Sequence, residues 1–120
     1  MDGFAVSRHE LPAGVVRLAV VGELDLAVSE ELATAQLREI ETTGVTGLLI
    51  DLQQVTFLDS TGVSALVAGL STAHRRGIAF TVTNAHDIVR AVLEVTGVFG
   101  PLTDPDQARS VADQRPDARG

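Results

Sequence analysis

Three apolar, β-branched runs, each followed by a stretch of helical period closed by glycine, constrain this chain most. The first is Val15-Val16-Arg17-Leu18-Ala19-Val20-Val21, the second spans residues 46–52, and the third is Ile78-Ala79-Phe80-Thr81-Val82-Thr83. Near-continuous runs of this kind suit strands buried in a sheet. After the first, a helix is expected over about residues 27–43, with Ala33, Leu37 and Ile40 facing the sheet and Val28 and Leu32 beside them. Its wet face takes Glu30, Glu31, Arg38, Glu39 and Glu41, Asp25 or Ser29 caps it, and Gly44 stops it. A second helix starts at Ser60 or Thr61 and runs to Arg76, with an apolar stripe of Val63, Leu66, Val67 and Leu70. A third, capped by Asn84 and closed by Gly97, carries Ile88, Val89, Val92, Leu93 and Val95. Residues 4–8 form a weaker strand, tied to the first apolar run through the turn signal Leu11-Pro12-Ala13-Gly14. The order is β-β-α-β-α-β-α. Strand–helix–strand repetition implies parallel crossovers, and the opening hairpin makes the sheet mixed.

The chain of 120 residues is long enough for one domain with its own core. Aromatics make up only 3 %, so Val, Leu, Ala and Ile must fill that core. Residues 1–103 are expected to be the domain. Residues 104–120, rich in Pro, Asp, Gln and Arg, are expected to form a short terminal helix over 104–112 and a frayed end.

The absence of cysteine excludes disulfides, thiolate metal sites and cysteine nucleophiles. A formal net charge of -7, with arginine supplying all nine basic residues, makes nucleic acid and anionic lipid poor partners. No leader is visible and no apolar stretch is long enough to span a bilayer. These features lead us to expect a soluble cytoplasmic protein.

Chemistry concentrates in Phe57-Leu58-Asp59-Ser60-Thr61-Gly62. The strand over 46–52 ends, a short polar link follows, and Asp-Ser-Thr-Gly opens the second helix. A hydroxyl, Ser60, then stands at the positive end of a helix beside a carboxylate, where free backbone N–H groups would hold a phosphate. The same run is equally an ordinary helix start, since Asp, Ser and Thr all cap helices. Three capping residues in a row leave at least one side chain spare.

Catalytic alternatives are poorly served. His9, His74 and His86 read as surface residues, and Gly62-Val63-Ser64-Ala65-Leu66 lacks the closing glycine of a nucleophile elbow. Asp25, Asp51 and Asp59 share one sheet edge, yet caps and strand-end turns explain each separately. There is no lysine to serve a phospho-accepting aspartate site, and no phosphate-binding glycine loop. No metal or cofactor is expected.

Gly22-Glu23-Leu24-Asp25, Leu49-Ile50-Asp51-Leu52, the Phe57–Gly62 segment and Ala91-Val92-Leu93-Glu94-Val95-Thr96-Gly97 together resemble the STAS domain, specifically bacterial anti-sigma factor antagonists. The resemblance covers residues 15–98. It implies an α/β STAS fold with a mixed β-sheet of four to five strands and three to four helices. In that family the serine after the aspartate is phosphorylated, which maps onto Ser60, with Thr61 as secondary acceptor. The partner is an anti-sigma factor that is also an ATP-dependent serine kinase. A PPM-type phosphatase restores the unmodified form, which binds the anti-sigma factor and so frees a sigma factor. The antagonist itself is no enzyme. The partner-binding surface maps onto Glu23, Asp25, Asp59, Ser60, Thr61, Gly62 and Ser64. Whether the protein is a monomer or a homodimer stays open. The competing expectation is a STAS scaffold or ligand-sensing module that is never phosphorylated; a small hydrolase using Ser60 is a third.

Overall fold

The computed structural model describes residues 3–106. Strand β1 (Ala5–Glu10) is followed by a single 3-10 turn (Pro12–Gly14), strand β2 (Val15–Leu24), helix α1 (Leu26–Ile40), strand β3 (Gly47–Leu58) and helix α2 (Ser60–Arg75). Strand β4 (Ala79–Thr83) and helices α3 (Asp87–Val95) and α4 (Phe99–Thr103) complete the fold. The four strands lie in sequence order, β1-β2-β3-β4. β1 is antiparallel to β2, and the β2–β3 and β3–β4 pairs are parallel. This is the mixed sheet that the hydropathy pattern dictates, and the element order follows it through α3; α4 is an additional helix that precedes the one expected over 104–112.

One face of the sheet is buried. Val16 and Leu18 align with Leu48 and Ile50, which align in turn with Phe80 and Val82, and Val20 and Leu52 are buried further along the same strands. Each fully buried Leu or Ile there contributes about 1.5–3 kcal/mol. The intervening residues, among them Arg17, Asp51 and Thr81, are only half-buried, so the other face stays open.

Both central strands outrun the expected limits. β3 continues through Gln53 and Gln54 to Leu58, where a polar link was expected, and Asp51 therefore lies within the strand. β2 likewise continues through Gly22-Glu23-Leu24. Two register shifts, between Ala19 and Val21 and between Gly22 and Glu23, let the strands keep pairing. Gly22 has φ of +113°, a backbone state that favours glycine.

Helix α1 ends at Ile40, three residues short of the expected end, and turns a different face inward. Its buried residues are Leu32, Gln36, Glu39 and Ile40, whereas Leu37 is 42 % exposed. Gln36 donates from Nε2 to the Ala65 carbonyl of α2 at 3.0 Å, and Glu39 accepts from Arg8 Nε of β1 at 2.8 Å. Polar side chains thus join α1 to both neighbours. α2 buries Val63, Leu66 and Leu70 as its period requires, with Val67 half-buried.

At α3 the expected cap is displaced. His86, not Asn84, is the N-cap residue, and its side chain does not cap the helix. Its Nε2 donates to the Gln53 carbonyl of β3 at 2.8 Å, while Asn84 donates to Asp51 Oδ1 at 2.9 Å. Pro105 and Asp106 are helical. The remainder of the helix expected over 104–112, and the frayed end, lie outside the described residues.

Candidate functional site

β2 and β3 are parallel and end in register, Leu24 beside Leu58. Each leads within two residues into a helix, so the N-termini of α1 and α2 stand side by side at one edge of the sheet. Each helix is capped by an aspartate. Asp25 Oδ1 accepts from the Ala27 N–H at 3.0 Å. Asp59 Oδ1 accepts from the Thr61 N–H at 2.9 Å, the Gly62 N–H at 3.2 Å and the Thr61 hydroxyl at 2.6 Å. The Thr61 hydroxyl first, then the Gly62 N–H, hold the Asp59 carboxyl below the usual carboxylate range, and the Leu26 N–H adds to the effect. Asp59 therefore closes the first turn of α2 and is ionised at neutral pH. The Asp59 N–H completes the junction by donating to the Leu24 carbonyl at 3.1 Å.

Gly62 explains why the first turn of α2 sits so close to β2. A Cβ at this position would lie 2.6 Å from Leu58 Cδ1, 2.7 Å from the Leu24 carbonyl oxygen and 3.0 Å from Leu24 Cβ. Only a residue without a side chain fits.

Ser60 is the first residue of α2 and is exposed. Its hydroxyl makes no hydrogen bond to another described residue, in contrast to Thr61, which is half-buried and donates to Asp59. Ser64, one turn on, is exposed on the same helix face. Glu23 is exposed at the end of β2 and aligned with Phe57, and Asp25 is half-buried. The structure thus gathers Glu23, Asp25, Asp59, Ser60, Thr61 and Gly62 at one edge.

It also alters one expectation. The Thr61 and Gly62 amides, expected to be free for a phosphate, are already taken by the Asp59 carboxylate. A phosphoryl group on Ser60 would find these two donors occupied. Asp51 does not join the edge: its Oδ1 accepts from the Gln53 N–H at 3.0 Å and from Asn84. Among the described residues no group of three or more His, Asp or Glu is placed to hold a metal ion. No helix among them is long and apolar enough to cross a membrane.

Two residues at this edge escaped the sequence reading. Leu26, immediately after the Asp25 cap, is 74 % exposed, and Phe57, two residues before Asp59, is 42 % exposed. The signal was an apolar residue within two positions of each cap and outside either helix's buried stripe. Between Arg17 and Arg75 the sequence has a single arginine, Arg38, so this edge is acidic as well as partly apolar.

A family model described as the STAS domain matches residues 9–108. The chain belongs to the STAS domain family. Its fold is shared by an anti-sigma factor antagonist from Mycobacterium paratuberculosis, at 25 % identity and a TM-score of 0.72 over 93 % of this chain and 97 % of that one. The phosphorylated form of the Bacillus cell fate determinant SpoIIAA matches at 21 % identity and a TM-score of 0.65, over 89 % of this chain and 99 % of that one. The murine anion transporter Slc26a9 contains a similar unit, at 23 % identity and a TM-score of 0.66, covering 86 % of this chain but 18 % of the transporter.

Proposed function

We propose that this protein is a cytoplasmic anti-sigma factor antagonist, not itself an enzyme, whose docking is governed by phosphorylation of Ser60. In its unmodified form it binds an anti-sigma factor that is also a serine kinase, and a sigma factor is freed. The kinase transfers the γ-phosphoryl of ATP to the Ser60 hydroxyl and binding is lost; a PPM-type phosphatase reverses the mark. One observation carries this reading: Ser60 presents an exposed, unbonded hydroxyl at the start of α2, next to the Asp59 cap. The likeness to two anti-sigma factor antagonists over nearly their whole length supports it.

The switch is electrostatic. Phosphorylation adds about -1.5 to -2 charge, beside Asp59 and near Asp25 and Glu23. A docked partner would bury that charge unmatched, at roughly 2–5 kcal/mol. Since about 1.4 kcal/mol is a tenfold change, affinity falls on the order of 30-fold to several-thousand-fold. The exposed Leu26 and Phe57 supply apolar contact area at the same edge.

The test is incubation with a cognate anti-sigma factor kinase and ATP. Phosphate is expected on Ser60, absent from Ser60→Ala, with Ser60→Ala retaining partner affinity and Ser60→Asp losing it. Equal affinity of the two variants removes the electrostatic account. The likeness to a unit within Slc26a9 favours a second reading, a STAS module that docks without being phosphorylated. Failure of every kinase to label Ser60, with binding intact, selects it.

A further inference from the structure

β1 is an edge strand: one side pairs with β2 and no described strand pairs with the other. Edges are commonly blunted by charge, and Arg8, His9 and Glu10 do this for the second half of β1. The first half, with Phe4 before it, carries no charge and no proline. That uncharged half borders a cleft of about 480 Å³ between β1 and α1. Phe4, Val6 and Ala35 are half-buried and form its floor, and the α1 wall carries Glu30, Glu31 and, further along, Arg38. None of these three charged side chains forms an ion pair with another described residue.

We propose that this cleft binds an extended segment of a partner protein, which adds to β1 as a fifth strand. Main-chain hydrogen bonds to an open edge supply affinity, and side-chain pockets supply selectivity. The charges specify the segment. Glu30 and Glu31 call for a basic side chain, and Arg38 for an acidic one. The Arg8–Glu39 pair places the end of α1 beside the far half of β1, so the acidic wall lies at the Phe4 end and Arg38 at the Arg8 end. Seven to eight residues of helix separate the two, about 10–12 Å. An extended chain spans this in roughly four residues, and residues two and four apart share one face. The segment therefore reads acidic, any, apolar, any, basic when it runs antiparallel to β1, the slightly more stable pairing. This inference is independent of the Ser60 switch.

The probe is the peptide Ac-Thr-Glu-Thr-Val-Thr-Lys-Thr-NH2, titrated into isotope-labelled full-length protein. Amide resonances of residues 4–8 and 30–38 are expected to shift. A peptide with Glu and Lys exchanged should bind at least tenfold more weakly. Backbone N-methylation of either the four Thr or the Glu, Val and Lys residues, but not of both sets, should abolish binding, because only one edge of the peptide faces β1. The triple variant E30K/E31K/R38E should reverse the preference between the two peptides, which also shows that it is folded. The proposal is overturned if the two peptides bind equally, if no shift occurs in these segments at millimolar peptide, or if the same amides shift with protein concentration alone. The last result would assign the edge to a second copy of this chain.

Discussion

Replacing Gly62 with alanine should destabilise the protein although alanine is the better helix former. In an unobstructed helix the exchange gains about 1 kcal/mol. Here the new methyl group would lie 2.7 Å from the Leu24 carbonyl oxygen and 2.6 Å from Leu58 Cδ1, well inside the normal carbon contact of about 3.5–4.0 Å. The Leu24 oxygen cannot retreat freely, because it accepts the Asp59 N–H and ends a strand in register with β3. Leu58 is 2 % exposed, so its side chain has to shift within the core. Two such obstructions put the overpacking cost near the upper part of the usual 1–3 kcal/mol. Set against the helix gain, the net loss is about 1–2 kcal/mol. With a urea m-value of about 1–3 kcal/mol/M, the unfolding midpoint should fall by roughly 0.3–2 M. Ser64→Ala, at an exposed position two residues on, should leave the midpoint unchanged or slightly raised. A Gly62→Ala protein with an unchanged or higher midpoint would refute the close-packed junction.

Two further outcomes follow from the polar contacts. The His86 imidazole has its pKa raised, first by the Asp87 carboxylate and then by the Gln53 carbonyl; its contribution to stability is complete below the unfolded value of 6.5 and is lost as pH rises through the higher native value. Urea melts at pH 5.5 and pH 8.5 should therefore show a larger drop for the native chain than for His86→Gln, and equal drops would remove the argument. Gln36→Leu should change stability by less than about 1 kcal/mol, because it removes both the bond to Ala65 and an unpartnered buried Oε1, whereas Gln36→Ala should cost about 1–3 kcal/mol in a calorimetric melt.

The pattern of strands and helices was readable because each apolar run needs its own amphipathic cover, and α2 in particular shows an unbroken stripe. The inward face of α1 was not readable. Gln36 and Glu39 look like surface residues until Ala65 and Arg8, 29 and 31 residues distant in sequence, are brought beside them. The length of β3 was hidden for a related reason. Its later residues break strict alternation, with Val55 and Leu58 buried and Gln53, Gln54, Thr56 and Phe57 exposed, as register shifts against β2 require. The Asp59-Ser60-Thr61-Gly62 step announced a helix start correctly, but spacing alone does not divide the labour among three capping residues. The structure does: Asp59 accepts, Thr61 donates, Gly62 permits the close approach, and Ser60 is left exposed.

The occupied amides at the head of α2 bear on how fast a signal can be erased. With Asp59 already seated on Thr61 and Gly62, a phosphoryl group on Ser60 could not draw on those two donors for shelter. In the proposed cycle those two amides would add nothing to the lifetime of the mark, which would then follow the turnover of the enzymes that write and remove it.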